Sequence, residues 1–213
     1  MLNIVYGIPH EISAHLVPHP KIRKISFTGS VPVGKQLAAL AGKHMKRITM
    51  ELGGHNPAIV CADANIEQAA KALAFFKFRN AGQVCISPSR ILVDQRVAAP
   101  FLEAFAAEAK AIRLTEDESS AAGMGPLASE RRLSAVTELV DEAAAKGAEL
   151  VTGGAQADRS GYYFEPTVLA NVPAKARIMN EEPFGPVAMV QSFETLDEAI
   201  AEANRLDYGL SAF

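Results

Sequence analysis

Residues 58–73 read AIVCADANIEQAAKAL, and this stretch decides the fold class. Ala58-Ile59-Val60-Cys61 is a continuous apolar run, the pattern of a strand covered on both faces. Asn65 with Gln68 fits a capping box at a helix start. Behind it, Ile66, Ala69, Ala70 and Leu73 fall on one side of a helix. A covered strand that runs through a cap into an amphipathic helix is half of a βαβ unit, and the same alternation repeats on both sides of it.

Upstream, Lys24-Ile25-Ser26-Phe27 reads as a strand ending at Thr28-Gly29-Ser30. A helix with Val33, Leu37, Leu40 and Ala41 on its face follows, then a short strand from Arg47 to Glu51, broken by Gly53-Gly54. Downstream comes a strand at Ser89–Val93. The next helix has Pro100 in its first turn and Phe101, Phe105, Ala109 and Ile112 on its face. Thr115–Met124 reads as a loop. Leu133, Val136, Val140 and Ala144 mark a helix stopped by Gly147. Strands at Glu149–Thr152 and Val187–Phe193 and a last helix at Leu196–Asn204 complete the pattern. Strands alternating with helices predict an α/β fold with a largely parallel sheet.

The 213 residues are 49% hydrophobic with a net charge of −3, which supports one large domain or two small ones. No basic cluster is present, which argues against a nucleic-acid partner. Two cysteines are too few for a disulfide framework, so the expected compartment is a reducing cytoplasm. The opening MLNIVYGIPHEISAHL has neither a basic leader nor a long apolar centre, and no run is long enough to span a membrane. The apolar ending at Tyr208–Phe213 reads as a cut through a longer chain.

Four stretches could carry chemistry. FTGSVPVG, residues 27–34, is a glycine-containing turn at a helix start, which offers backbone N–H groups and the positive helix end to phosphate. Its Gly29, Gly34 and Lys35 mimic a triphosphatase loop, but Gln36 stands where that motif needs a hydroxyl for magnesium. ELGG, residues 51–54, places Glu51 at a strand end beside two glycines. A carboxylate withdrawn from water there would serve as a general base, or it would simply pair with a nearby cation. GQVC, residues 82–85, holds Cys85 among small and turn-forming residues. Its thiol is either a reachable nucleophile or a small buried hydrophobe. Cys61, in an apolar strand, reads as an inert core residue. EEPFGP, residues 181–186, offers Glu182 to a pair of hydroxyls and Phe184 to a flat heterocycle, or it is a solvated loop.

Taken together and in this order, the four stretches resemble the aldehyde dehydrogenase superfamily. The resemblance covers essentially the whole chain, including Gly125-Pro126-Leu127 and the Gly153-Gly154 turn. It implies an α/β aldehyde dehydrogenase catalytic domain over residues 51–213. Residues 1–50 would then be the C-terminal part of a Rossmann-like NAD(P)-binding domain. Cys85 matches the nucleophile that gives a thiohemiacetal and then a thioester, and its backbone N–H would supply half of an oxyanion hole. Glu51 matches the base that activates water for thioester hydrolysis. Gly29 and Ser30 match contacts to the cofactor pyrophosphate, and Leu52 and Gly53 belong to the same cofactor side. Glu182 matches the ligand of the nicotinamide ribose, with Phe184 near that ring. The cofactor implied is NAD or NADP.

Within the family, KFRNAGQVC, residues 77–85, looks like the succinate-semialdehyde dehydrogenase branch, in which Arg79 would bind the far carboxylate of the substrate. Arg79 at a helix end is also an ordinary capping residue. Ser87 stands where that branch sometimes carries a second cysteine, so no such redox switch is expected. Family members are well over twice as long. The resemblance therefore implies that an upstream oxyanion-hole asparagine, an adenosine-ribose lysine and a downstream pocket and dimer segment lie outside these residues. The chain by itself is expected to be weak or inactive, or to act as a non-catalytic domain through packing. The parent is expected to be a homo-oligomer, a dimer or tetramer, acting on a small aldehyde.

Overall fold

The computed structural model describes residues 2–116 and 123–213. It divides into two compact units, Met1–Gly53 and Gly54–Phe213. Most of the expected loop at 115–124 lies outside the described residues.

In the first unit, helix α1 (Pro9–Leu16) precedes a β-α-β unit of strand β1 (Lys24–Gly29), helix α2 (Val31–Lys43) and strand β2 (Arg47–Leu52). β1 and β2 pair in parallel, from Lys24 opposite Arg47 to Gly29 opposite Leu52. The expected contact face of α2 holds at Leu37, Leu40 and Ala41 and differs at its start. Gly34 and Ala41 are buried while Val33 is exposed. The cause is close packing: a Cβ on Gly34 would stand 2.5 Å from the Leu52 side chain, so the helix rests on β2 through its glycine.

The second unit contains strand β3 (Asn56–Val60), helix α3 (Ile66–Phe78), strand β4 (Pro88–Asp94), helix α4 (Ala98–Ala111), and the short strands β5 (Arg113–Leu114) and β6 (Gly123–Met124). Helix α5 (Glu130–Ala145) follows, then strands β7 (Glu149–Thr152), β8 (Thr167–Ala170) and β9 (Val187–Phe193), and helix α6 (Leu196–Ala203). The main sheet has the order β3-β4-β9-β8-β7. All its pairings are parallel except β7 with β8.

Strand β4, between β3 and β9, is buried along its whole length. Phe78 of α3 and Phe101 and Phe105 of α4 stack against one another over it. The Asn65 side chain accepts the Gln68 N–H at 3.0 Å and caps α3. Arg90 extends from β4 to the carbonyls of Glu202 and Ala203 at the end of α6, where a cation satisfies the last free acceptors of a helix.

Three expectations need correction. Cys61 lies one residue beyond β3 and is exposed, so it is not a core thiol. The inner face of α5 ends on Ala143, not Ala144, because the packing row runs Leu133, Val136, Val140, Ala143. Gly123–Met124, expected in a loop, forms β6 against β5. In addition, β8 is a strand that periodicity could not reveal, since four residues between Pro166 and Asn171 are too few to show a period.

Candidate active site

Because β3, β4 and β9 run parallel, the loops that enter them leave from one edge of the sheet. Those loops hold Gly54-His55, Arg79–Ser87 and Glu181–Pro186, so the topology gathers residues far apart in sequence.

Cys85 is half-buried and sits in a turn closed by the Ser87 N–H donating to the Val84 carbonyl at 2.9 Å. The Asn56 amide donates to both Cys85 O at 2.8 Å and Ser87 O at 3.0 Å. Upstream of the turn the backbone is left-handed at Asn80 (φ 52°), Ala81 (φ 52°) and Gly82 (φ 68°). This conformation disfavours side-chain-bearing residues and clusters at functional sites. A Cβ on Gly82 would stand 2.1 Å from Gly185 O, so the cysteine loop and the Glu182 loop meet backbone to backbone. Gln83 fastens the loop from the other side: its Oε1 accepts the Ala128 N–H at 2.8 Å.

The polar groups around this turn are withdrawn from water. Lys77, Ser87 and Ser89 are buried, and Lys77 Nζ donates to Ser89 Oγ at 3.3 Å. Burial lowers the Lys77 amine to about 7, and the Glu182 carboxylate opposes that shift. Glu182 accepts the Gly54 N–H at 3.2 Å. Burial pushes its carboxyl up, against the pull of that N–H, Arg132 and Lys77. The Arg132 guanidinium also lies 5.8 Å from the centre of the Phe184 ring. Phe184 itself is held at φ 41°. His55 is buried with Nε2 2.8 Å from Ile178 O, and burial lowers it to about 3.

The contacts above do not include Arg79, Gly29, Ser30, Glu51, Leu52 or Gly53. Arg79 is exposed, its guanidinium 5.6 Å from the centre of the Phe76 ring, and it lines a cavity of about 330 Å³ between α3 and α4. In the first unit, Gly29 and Ser30 form the turn from β1 into α2. The Ser30 side chain makes no cap hydrogen bond, so it does not satisfy the N–H groups of the first helical turn. Glu51 is exposed near the end of β2, beside Leu52 and Gly53.

Sequence reasoning missed Asn56, Lys77, Ser89 and Arg132. Only Lys77 left a signal: it continues the Ala70, Leu73, Ala74 face of α3, so a charge at a core position was legible.

The whole of residues 1–213 matches the model of the aldehyde dehydrogenase family. This chain belongs to the aldehyde dehydrogenase family. It is 46% identical over 213 residues to a putative 4-(hydroxymethyl)benzenesulfonate dehydrogenase of Comamonas testosteroni, covering 100% of this chain and 44% of that protein. It is 43% identical over 214 residues to a succinate-semialdehyde dehydrogenase of Paenarthrobacter nicotinovorans, covering 100% and 48%. An NAD-dependent aldehyde dehydrogenase from Sinorhizobium meliloti superposes with a TM-score of 0.93 at 37% identity, over 98% of this chain and 41% of the other. An NADP-dependent enzyme of E. coli gives the same TM-score at 36% identity, over 98% and 43%. The chain thus spans less than half the length of these relatives, and both NAD and NADP are used among them. No helix among the described residues is long and apolar enough to cross a membrane.

Within the first unit, the start of α2 at Ser30 offers backbone N–H groups with no side-chain cap, although Pro32 supplies none; within the second, Glu182 is an acceptor suited to hydroxyls.

Proposed function

We propose that the whole protein oxidises an aldehyde bearing a remote anionic group, such as succinate semialdehyde, to the acid. The observation that carries this reading is Cys85, half-buried in a turn whose carbonyls are held by Asn56, with Gly54 beside it bonded to Glu182. The Cys85 sulfur would add to the aldehyde carbon, and the developing oxyanion would meet the Cys85 N–H. A bound NAD(P) supplies a hydride acceptor. Loss of hydride from the carbon leaves a thioester on Cys85. Glu51 would take a proton from water as that water attacks the thioester, which releases the acid and the Cys85 thiolate. Ser30 and Gly29 would hold the pyrophosphate, with Leu52 and Gly53 on the same side, and Glu182 and Phe184 would orient the nicotinamide end. The first unit would be the end of the cofactor domain and the second most of the catalytic domain.

Substrate class rests on Arg79 and on the relatives. The two named above act, by their names, on substrates ending in a sulfonate and a carboxylate. A guanidinium suits either anion.

The test is formation of reduced cofactor by the whole protein with succinate semialdehyde and NAD or NADP. Cys85→Ala should lose at least about 10³ in rate. Glu51→Gln should keep a single burst of cofactor reduction and lose steady turnover. Arg79→Ala should raise KM about tenfold for the anionic aldehyde and leave it unchanged for butanal. Turnover in Cys85→Ala equal to wild type would refute the mechanism.

A further inference from the structure

We propose that Asn56 is a positioning residue that fixes the peptide following Cys85 and thereby aims the thiol. The inference rests on Cys85 being the nucleophile. Cys85 and Ile86 are the central residues of the turn closed between Val84 and Ser87. The peptide between the central residues of such a turn is the one that can flip, which interchanges the common turn types. Here its carbonyl is held: Asn56 Nδ2 donates to Cys85 O and, with its other hydrogen, to Ser87 O.

The amide orientation is determined by those partners. Reversed, Asn56 would direct its own oxygen at two carbonyl oxygens. Asn56 is 2% exposed, so water does not compete for its two hydrogens. The segment also packs against the same carbonyl at Gly54, where a Cβ would stand 3.0 Å from Cys85 O. Since Gly54 N–H donates to Glu182, one short segment grips both the nucleophile turn and the loop assigned to the cofactor.

The test uses the whole protein and site-resolved mass spectrometry of cysteine labelling by a methanethiosulfonate reagent. An aldehyde that adds to Cys85 transfers the thiol proton to its oxygen and leaves no free sulfur, so succinate semialdehyde should protect Cys85 and leave Cys61 open. In Asn56→Ala, the concentration giving half-protection should rise about tenfold, and in Asn56→Ser, which keeps one donor, about threefold. Asn56→Asp supplies a readout that a merely structural role would not move. Protonated at about pH 5, it can still donate one hydrogen bond. Ionised at about pH 8, it faces two carbonyls with charge, and protection should weaken about tenfold or more. The charged and titratable groups around the site are Glu182, Lys77, His55, Arg90, Arg132, Tyr208 and Cys85 itself. They are common to wild type and variant, so the comparison cancels them.

Absence of protection in the wild type would overturn the nucleophile reading and this proposal with it. Protection in the wild type that is unchanged in Asn56→Ala, or altered in Asn56→Asp by the same factor at both pH values, would overturn the positioning role alone.

Discussion

Lowering the pH from about 7 to about 5 should cost the fold about 2 kcal/mol through His55 alone. The ring is 1% exposed. Its Nε2 faces the Ile178 carbonyl at 2.8 Å, and a carbonyl only accepts, so Nε2 carries the hydrogen. A second proton would have to go on Nδ1, which is buried with no hydrogen-bond partner among the described residues. It would also add charge near Arg90, Lys77 and Arg205. The folded value is therefore lowered to about 3 from 6.5. Between those two values the unfolded chain binds the proton and the folded chain does not. The His55 contribution is thus complete above about pH 6.5 and falls away as the pH drops toward 3. Integrating the proton difference to pH 5 gives about 2 kcal/mol. Glu182, pushed up by burial, contributes with the opposite sign, but it is present in both proteins compared. The assay is urea unfolding followed by far-UV circular dichroism, since the chain has no tryptophan. Wild type and His55→Gln are compared at both pH values, and the variant should lose about 2 kcal/mol less on acidification. Equal losses, or a His55 ring proton whose NMR shift titrates between pH 7 and pH 5 in the folded protein, would refute the argument.

Lys77 predicts an alkaline counterpart. Its amine is lowered to about 7 from 10.5, so stability should rise by about 2 kcal/mol between about pH 7 and about pH 9, as the unfolded chain retains the proton that the folded chain has lost. Urea unfolding of Lys77→Met at those two pH values should show no such rise. Gly82→Ala should destabilise by about 3 kcal/mol or more, because the backbone is left-handed there and the added methyl meets Gly185 O. A thermal melt within about a degree of wild type would contradict that reading.

The fold was legible where the chain repeats a pattern long enough to show its period. Residues 58–73 carry strand, cap and helix in order, and the structure realises them as β3, the Asn65 cap and α3. Errors arose where one close contact outranks periodicity. Gly34 replaces Val33 on the packed face of α2 because its missing side chain lets the helix settle on Leu52. Cys61 was grouped with the apolar run before it, yet β3 ends one residue earlier. The site divides in the same way. Of the residues proposed for it, Cys85, Glu182 and Glu51 stand out through glycine and proline punctuation. Asn56, Ser89 and Arg132 do not, because their roles depend on which strands become neighbours, and sequence order does not state that.

The sheet order also explains why the cysteine turn needs a clamp. Open α/β sheets usually bind ligands at the carboxyl ends of their strands, where helix N-termini point toward the ligand. The Gly29-Ser30 turn, proposed above for the cofactor, lies at such an end, that of β1. Cys85 and Glu182 do not, since they lie on the loops that enter β4 and β9. At that edge the neighbouring helix, α3, presents its carboxyl end, and the cap position Arg79 leads straight into left-handed backbone. The turn itself is held by side-chain amides: Asn56 holds the carbonyls of Cys85 and Ser87, and Gln83 ties the loop to the Ala128 N–H just before the start of α5. A site built from amides at the entering edge of a parallel sheet depends on three loops keeping register. The backbone contact of Gly82 with Gly185 therefore matters as much to the proposed nucleophile as any group that touches it.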